Sequence, residues 1–203
     1  MSIVRKVRAV ERLFGRLDAE IQSFQSCTGL HCISGCGKCC TKADIEATPL
    51  EFLPLAFHWF INHQAEAMLE QLENDPSPIC TLYAPLSSDL HLNGQGSCVN
   101  YPYRGLICRL FGYGASRDKF GELKLVTCKL IKEQQVESYE KAMALLNQKE
   151  YVPVFTDYYK KLMQIDFKLA NQYLPVNEAI SLALETVLSY YAYRPFPRMR
   201  KVA

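Results

Sequence analysis

Four cysteines fall within nine residues, Cys32-Ile33-Ser34-Gly35-Cys36-Gly37-Lys38-Cys39-Cys40, and four more follow at Cys80, Cys98, Cys108 and Cys128. Thiolates crowded onto a two-glycine loop are poorly suited to a hydrophobic core. They are well suited to a soft metal, because glycine lets the backbone fold around an ion and aim several sulfurs inward. The ninth cysteine, Cys27, stands apart and is expected to be an ordinary buried thiol.

Zinc takes four such ligands, and an iron–sulfur cluster also takes four cysteines. Either use of the set Cys32, Cys36, Cys39, Cys40, Cys80, Cys98, Cys108 and Cys128 leaves excess negative charge. Lys38, Lys42, Arg104, Arg109 and Lys129 lie close by in the sequence to offset it. Arg104 and Arg109 are expected to stand behind the ligands as donors to sulfur, where such groups stabilise thiolate and tune the metal. Tyr101, Tyr103, Phe111 and Tyr113 are expected to pack around the site and keep water out. The spacing Cys32-x3-Cys36-x2-Cys39 is also used by radical enzymes that bind S-adenosylmethionine at a cluster, but the strand–helix alternation of their barrel is missing here.

The elements that must position these residues read as mainly α. Helices are expected to pack around an irregular, cysteine-rich, metal-binding middle with a short β-hairpin. Segment 2–26 carries Ile3, Val7, Val10, Phe14, Leu17, Ile21 and Phe24 in steps of four and three, a heptad seam. The seam serves either the chain's own core or a protein partner bound through residues 1–26. Thr48-Pro49-Leu50-Glu51 is a capping box that starts a helix over 49–73, kinked at Pro54. His58 and His63 on it are packing or surface residues. Strands over 108–113 and 122–128 are expected to bring Cys108 and Cys128 to one end of a hairpin. Helices follow over 129–148, 154–173 and 176–192, then a basic tail over 194–203.

A single domain of 203 residues can bury an adequate core without cross-links. A disulfide scaffold is the rival reading, weakened by the odd cysteine count and the adjacent Cys39-Cys40 pair. The net charge of +2 is too near zero to argue for nucleic acid. The opening residues show no apolar leader and no stretch is long enough to span a bilayer, so a cytoplasmic protein with reduced cysteines and no membrane contact is expected.

Residues 30–130 resemble the CxxCxxCC (YkgJ-like) cysteine-cluster family, whose domain is thought to chelate zinc or iron. The resemblance rests on Cys32, Cys36, Gly37, Cys39 and Cys40, on Cys80 with Leu82 behind it, on Cys98-x2-Tyr101-Pro-Tyr103-Arg104 leading to Cys108-Arg109-Leu-Phe111, and on Cys128. The first gap holds three residues where the family has two, and Gly105 stands where it usually has Pro. The resemblance implies metal chelation, with these eight cysteines as ligands. Some larger relatives are similar to flagellin lysine N-methylases, which implies protein methyl transfer or redox catalysis as an alternative. A non-enzymatic metal-binding protein, with no catalytic residue, is the first reading. A metal-scaffolded interaction module is the third.

Overall fold

The computed structural model describes residues 1–86, 95–147 and 152–197. The chain is mainly α. Its first helix, α1 (Ile3–Thr28), starts where the Ser2 hydroxyl accepts from Arg5 N–H and ends at Gly29, whose φ of 74° lets its N–H return to Gln25 O at 2.8 Å. The whole heptad seam lies against the chain's own core, with Val10 and Leu17 at 0% exposure. Burying each such side chain stabilises the fold by about 1.5–3 kcal/mol, which decides the seam's use. The partner expected through residues 1–26 therefore loses its contact face.

A second helix, α2 (Pro49–Ile61), is apolar on nearly every face and forms the centre of the molecule, packed by α1 and by the later helices α3 (Ala65–Asn74) and α9 (Val176–Tyr191). The expected single helix over 49–73 is corrected: α2 continues through Pro54, and the helix divides at 62–64, where His63 takes φ 58°. Asn62 caps the break by donating its side-chain amide to His58 O at 2.8 Å. All-round apolar α2 must be buried, whereas α3 is amphipathic and lies on the surface, so the chain turns between them. His58 stacks on Tyr103 and His63 on Phe196, as packing residues.

The short β-hairpin is present, but its first strand lies later than expected. Residues 106–110 form a helical turn, α4 (Leu106–Leu110), because Leu106 and Leu110 share one buried face and Glu51 Oε2 accepts Ile107 N–H at 3.0 Å. The strands that pair are β4 (Ala115–Arg117) and β5 (Leu123–Leu125), antiparallel, with Ser116 opposite Lys124. Two further antiparallel ladders join β1 (Glu46–Ala47) to β6 (Leu174–Pro175) and β2 (Tyr83–Pro85) to β3 (Gly96–Cys98).

The helix expected over 129–148 is two, α5 (Lys129–Gln134) and α6 (Val136–Asn147), separated by Gln135 at φ −130° and ψ 48°. That over 154–173 is α7 (Phe155–Met163) and α8 (Phe167–Ala170). Between them Asp166 leaves helical geometry to pair with Lys6 Nζ at 2.5 Å and to accept Leu169 N–H at 3.0 Å. Residues 198–203 of the expected basic tail lie outside the described residues. Arg194 donates to Tyr190 O and covers its ring. One contiguous hydrophobic cluster runs through all the long helices. Among the described residues no helix is long and apolar enough to cross a membrane.

Candidate metal centre

The four-cysteine loop is built from tight turns. Gly35 and Gly37 sit at φ 67° and 56°, values that a side chain would strain, and Cys36 and Cys40 close turns onto Ile33 O and Gly37 O. The loop is tied at both ends and in the middle. Gln135 brackets His31, accepting its N–H at 3.0 Å and donating to its carbonyl at 2.6 Å. Cys32 N–H donates to the Tyr113 hydroxyl at 2.8 Å. Gly35 O accepts from Gly96, and Cys40 O accepts from Cys80 N–H at 3.2 Å.

The other cysteines arrive on separate elements. Cys98 ends β3 opposite Tyr83, Cys108 lies in α4, and Cys128 is the N-cap of α5, where its sulfur accepts Ile131 N–H at 3.5 Å. All nine cysteines are free thiols, so the disulfide scaffold is not the structure adopted. Cys27 is corrected from buried to exposed on α1.

The thiols share one electrostatic neighbourhood centred on Cys39. The Cys40 thiol donates to the Cys39 sulfur, and backbone N–H groups add to this against the cost of burial. Together they bring Cys39 down to about 6. Its charge then opposes ionisation at Cys32, Cys40, Cys80, Cys98 and Cys108, sulfurs drawn from separate parts of the chain. Desolvation, then the Cys39 charge, push Cys32 up to about 11. Cys80 also stands at about 11, chiefly by desolvation, partly relieved by Leu82 N–H. Cys108 is pushed up by the crowding of atoms around its sulfur, although the residue keeps exposed surface, and then by the charges of Cys80 and Glu51.

Both arginines reach Asp18 on α1, Arg104 through Nη2 at 3.8 Å and Arg109 through Nη1. Arg104 lies over the Tyr101 ring at 3.9 Å, and its charge favours thiolate at both Cys32 and Cys98. Its Nε is buried without a hydrogen-bond partner. Arg109 is almost fully buried and spends its guanidinium elsewhere. It donates to Asp18 on α1, to Arg104 O at 3.1 Å and to Pro102 O at 2.5 Å, and it stacks on Phe14. It anchors α4 to α1. Of the four aromatics expected to screen the site, Tyr113 is buried and Tyr101 is exposed.

Among the described residues, no group of three or more His, Cys, Asp or Glu side chains is placed so that it could hold a metal ion. Two sulfurs are engaged locally, Cys32 with Ile33 O at 3.8 Å and Cys40 with Cys39. The donor chemistry fits a soft metal: free thiols, one held anionic, N–H groups aimed at sulfur, and a half-buried Arg104 with an unused donor. Three positioning residues escaped the sequence reading. Gln135 and Tyr113 hold the loop through side-chain bonds that leave no trace in periodicity. Glu51 was visible as a capping residue, but its second oxygen's bond to α4 was not. The chain matches no protein-family profile, no curated protein and no solved structure.

Proposed function

We propose that the protein binds metal through its cysteine thiolates, as zinc or as an iron–sulfur cluster, and catalyses no reaction. The observation that supports this reading is a loop carrying four free thiols, tied through its backbone to Cys80 and to the strand that ends in Cys98. The resemblance of residues 30–130 to the CxxCxxCC family supports it too. Cys32, Cys36, Cys39, Cys40, Cys80, Cys98, Cys108 and Cys128 are the proposed ligands, with Arg104 offsetting their charge. Arg109, committed to Asp18, contributes through the fold.

Bound zinc would cross-link the loop to β3, α4 and α5, and a cluster would add one-electron chemistry. The chain's own residues shape the loop, exclude water with Tyr113 and keep N–H donors on sulfur. Free thiols of this number suit a reducing compartment such as the cytoplasm.

The test is metal analysis of protein purified without oxygen, with an absorption spectrum. Stoichiometric zinc without colour, or iron with broad visible absorption, is the expected result. Protein that holds neither metal, even after reconstitution, would overturn the proposal. Calorimetric titration with S-adenosylmethionine is expected to give no saturable isotherm; saturable binding would favour a methyl-transfer enzyme instead.

A further inference from the structure

We infer that the protein self-associates head to tail through two oppositely charged helices, the arginine stripe of α1 in one copy lying antiparallel on the glutamate stripe of α3 in the next. The contact needs no metal.

The outward face of α1 carries Arg5, Arg8, Arg12 and Arg16, all exposed. Steps of three and four set them on one side of the helix, away from the buried seam. Neighbouring cations are engaged within the chain: Lys6 pairs with Asp166, and Arg104 and Arg109 reach Asp18. Among the described residues, none of the four stripe arginines forms an ion pair. Glu11 borders the stripe within electrostatic reach of Arg8 and Arg12, and it pairs with neither.

The opposite charge collects elsewhere. No Lys or Arg occurs between Lys42 and Arg104. Within that stretch α3 exposes Glu66, Glu70 and Glu73 along one face, and among the described residues none of them forms an ion pair. Both helices pack on α2, yet both stripes stay exposed, so they do not satisfy each other within one chain.

Neither stripe serves its own helix. Like charges three and four residues apart repel. Arg5 also stands in the first turn of α1, where the helix dipole favours an anion, and Glu73 in the last turn of α3, where it favours a cation.

The spacings match in one orientation. Antiparallel, Arg5 faces Glu73, Arg8 faces Glu70 and Arg12 faces Glu66, three residues then four on both helices, in steps of about 4.5 and 6 Å. Each misplaced end charge thereby meets its opposite. Parallel, the register fails at the third pair, where Gly15 would stand opposite Glu73. Guanidinium groups suit such a seam, since each can grip a carboxylate with two N–H donors. The stripes lie on different helices, so the contact is heterologous and one copy can engage two others.

Sedimentation velocity of the reduced wild-type chain at rising concentration tests this. Exposed ion pairs are weak singly and screened by salt, the screening length falling from about 30 Å at about 0.01 M to about 3 Å at about 1 M. A sedimentation coefficient that climbs with concentration at low salt and stays monomeric at high salt is expected. Association that persists at high salt would overturn the inference by pointing to an apolar contact. A monomer at both would overturn it too, and retention of that monomer on heparin, lost in Arg8→Glu, would give the stripe to an anionic polymer instead. Arg8→Glu and Glu70→Arg each set like charges at the central pair, so each variant alone should stay monomeric at low salt. Mixed in equal amounts, every reversed position meets an opposite charge and association should return. A mixture that stays monomeric while the wild type associates would place the contact on other faces.

Discussion

Gln135 holds the His31 backbone with both ends of one side-chain amide, Oε1 accepting from N–H at 3.0 Å and Nε2 donating to the carbonyl at 2.6 Å. The two residues are 104 apart in sequence, and the pair ties the entry of the cysteine loop to the gap between α5 and α6. The helix breaks where its side chain is needed elsewhere. Gln135→Ala is expected to lower stability by about 1 kcal/mol, since both bonds are solvent-accessible and each contributes modestly. Gln135→Glu keeps the acceptor and loses the donor, so it should fall between the two in denaturant midpoint. Hydrogen exchange at the His31 amide should quicken in Gln135→Ala, and unchanged protection there would show that the amide pair does not hold the loop.

Glu51 is wholly buried and ties the start of α2 to α4. Its Oε1 accepts Thr48 N–H at 2.8 Å and the Thr48 hydroxyl at 3.1 Å, and its Oε2 accepts Ile107 N–H, next to Cys108. Glu51→Ala leaves two buried N–H donors without acceptors, and a loss of roughly 2–5 kcal/mol is expected in chemical unfolding. The pH dependence has a defined sign. Burial, against the hydrogen bonds from Ile107, from Thr48 and from the Tyr159 hydroxyl, raises this carboxyl above its ordinary 4.5. A raised acid binds its proton more tightly in the folded chain, so its contribution is full below about 4.5 and falls as pH rises through the folded value. The stability gap between wild type and Glu51→Ala should therefore be wider at pH 4 than at pH 7. A gap that widens with pH would show the carboxylate to be the favoured buried form.

What the sequence revealed followed periodicity and local chemistry. The seam from Ile3 to Phe24 and the Thr48–Glu51 box are each read from residues a few positions apart, and each recurs in the structure as an element; the run from Cys32 to Cys40 recurs as a turn-rich loop. The failures have one physical source. The run from Cys108 to Tyr113 reads as a strand because it is a short apolar stretch set between turn formers. The turn at Cys108 becomes helical because Glu51, 56 residues away, accepts Ile107 N–H. His63 breaks a helix pattern that continued without interruption in composition. Arg109 is expected behind sulfur and is in reach of the Cys108 charge, yet its hydrogen bonds go to Asp18, 91 residues distant, and to the Arg104 and Pro102 carbonyls. Long-range polar bonds decide these points, and they carry no local signature.

Cys39 is expected to be the most reactive thiol of the metal-free protein at pH 7. With its sulfur held down to about 6 and the residue exposed, most of it is thiolate there, whereas Cys32 and Cys80 at about 11 remain protonated. Timed alkylation with iodoacetamide and peptide mass analysis should find Cys39 modified first, with a rate midpoint near pH 6. Removing the thiol donor in Cys40→Ala should move that midpoint upward, toward the ordinary 9.0. An unshifted midpoint would mean that Cys40 does not set the charge on Cys39.

Gly96 is fixed by close approach and not by an unusual backbone angle. A Cβ there would stand 2.2 Å from Tyr83 Cε2 and 2.5 Å from the Ala84 carbonyl oxygen, and the second obstacle is backbone that cannot swing aside. The same glycine donates its N–H to Gly35 O and lies opposite Pro85, so it couples the cysteine loop to the strand that ends in Cys98. Gly96→Ala must therefore part β2 from β3 or push the Gly35 turn away. A loss of about 2 kcal/mol or more is expected, on the scale of overpacked sites. Hydrogen exchange separates the two outcomes: a parted ladder should quicken the Val99 amide, which donates to Leu82 O at 2.9 Å, whereas a displaced turn should quicken the residue 96 amide, which donates to Gly35 O at 2.9 Å. Unchanged exchange at both amides would mean that the site absorbs the added methyl group without moving either neighbour.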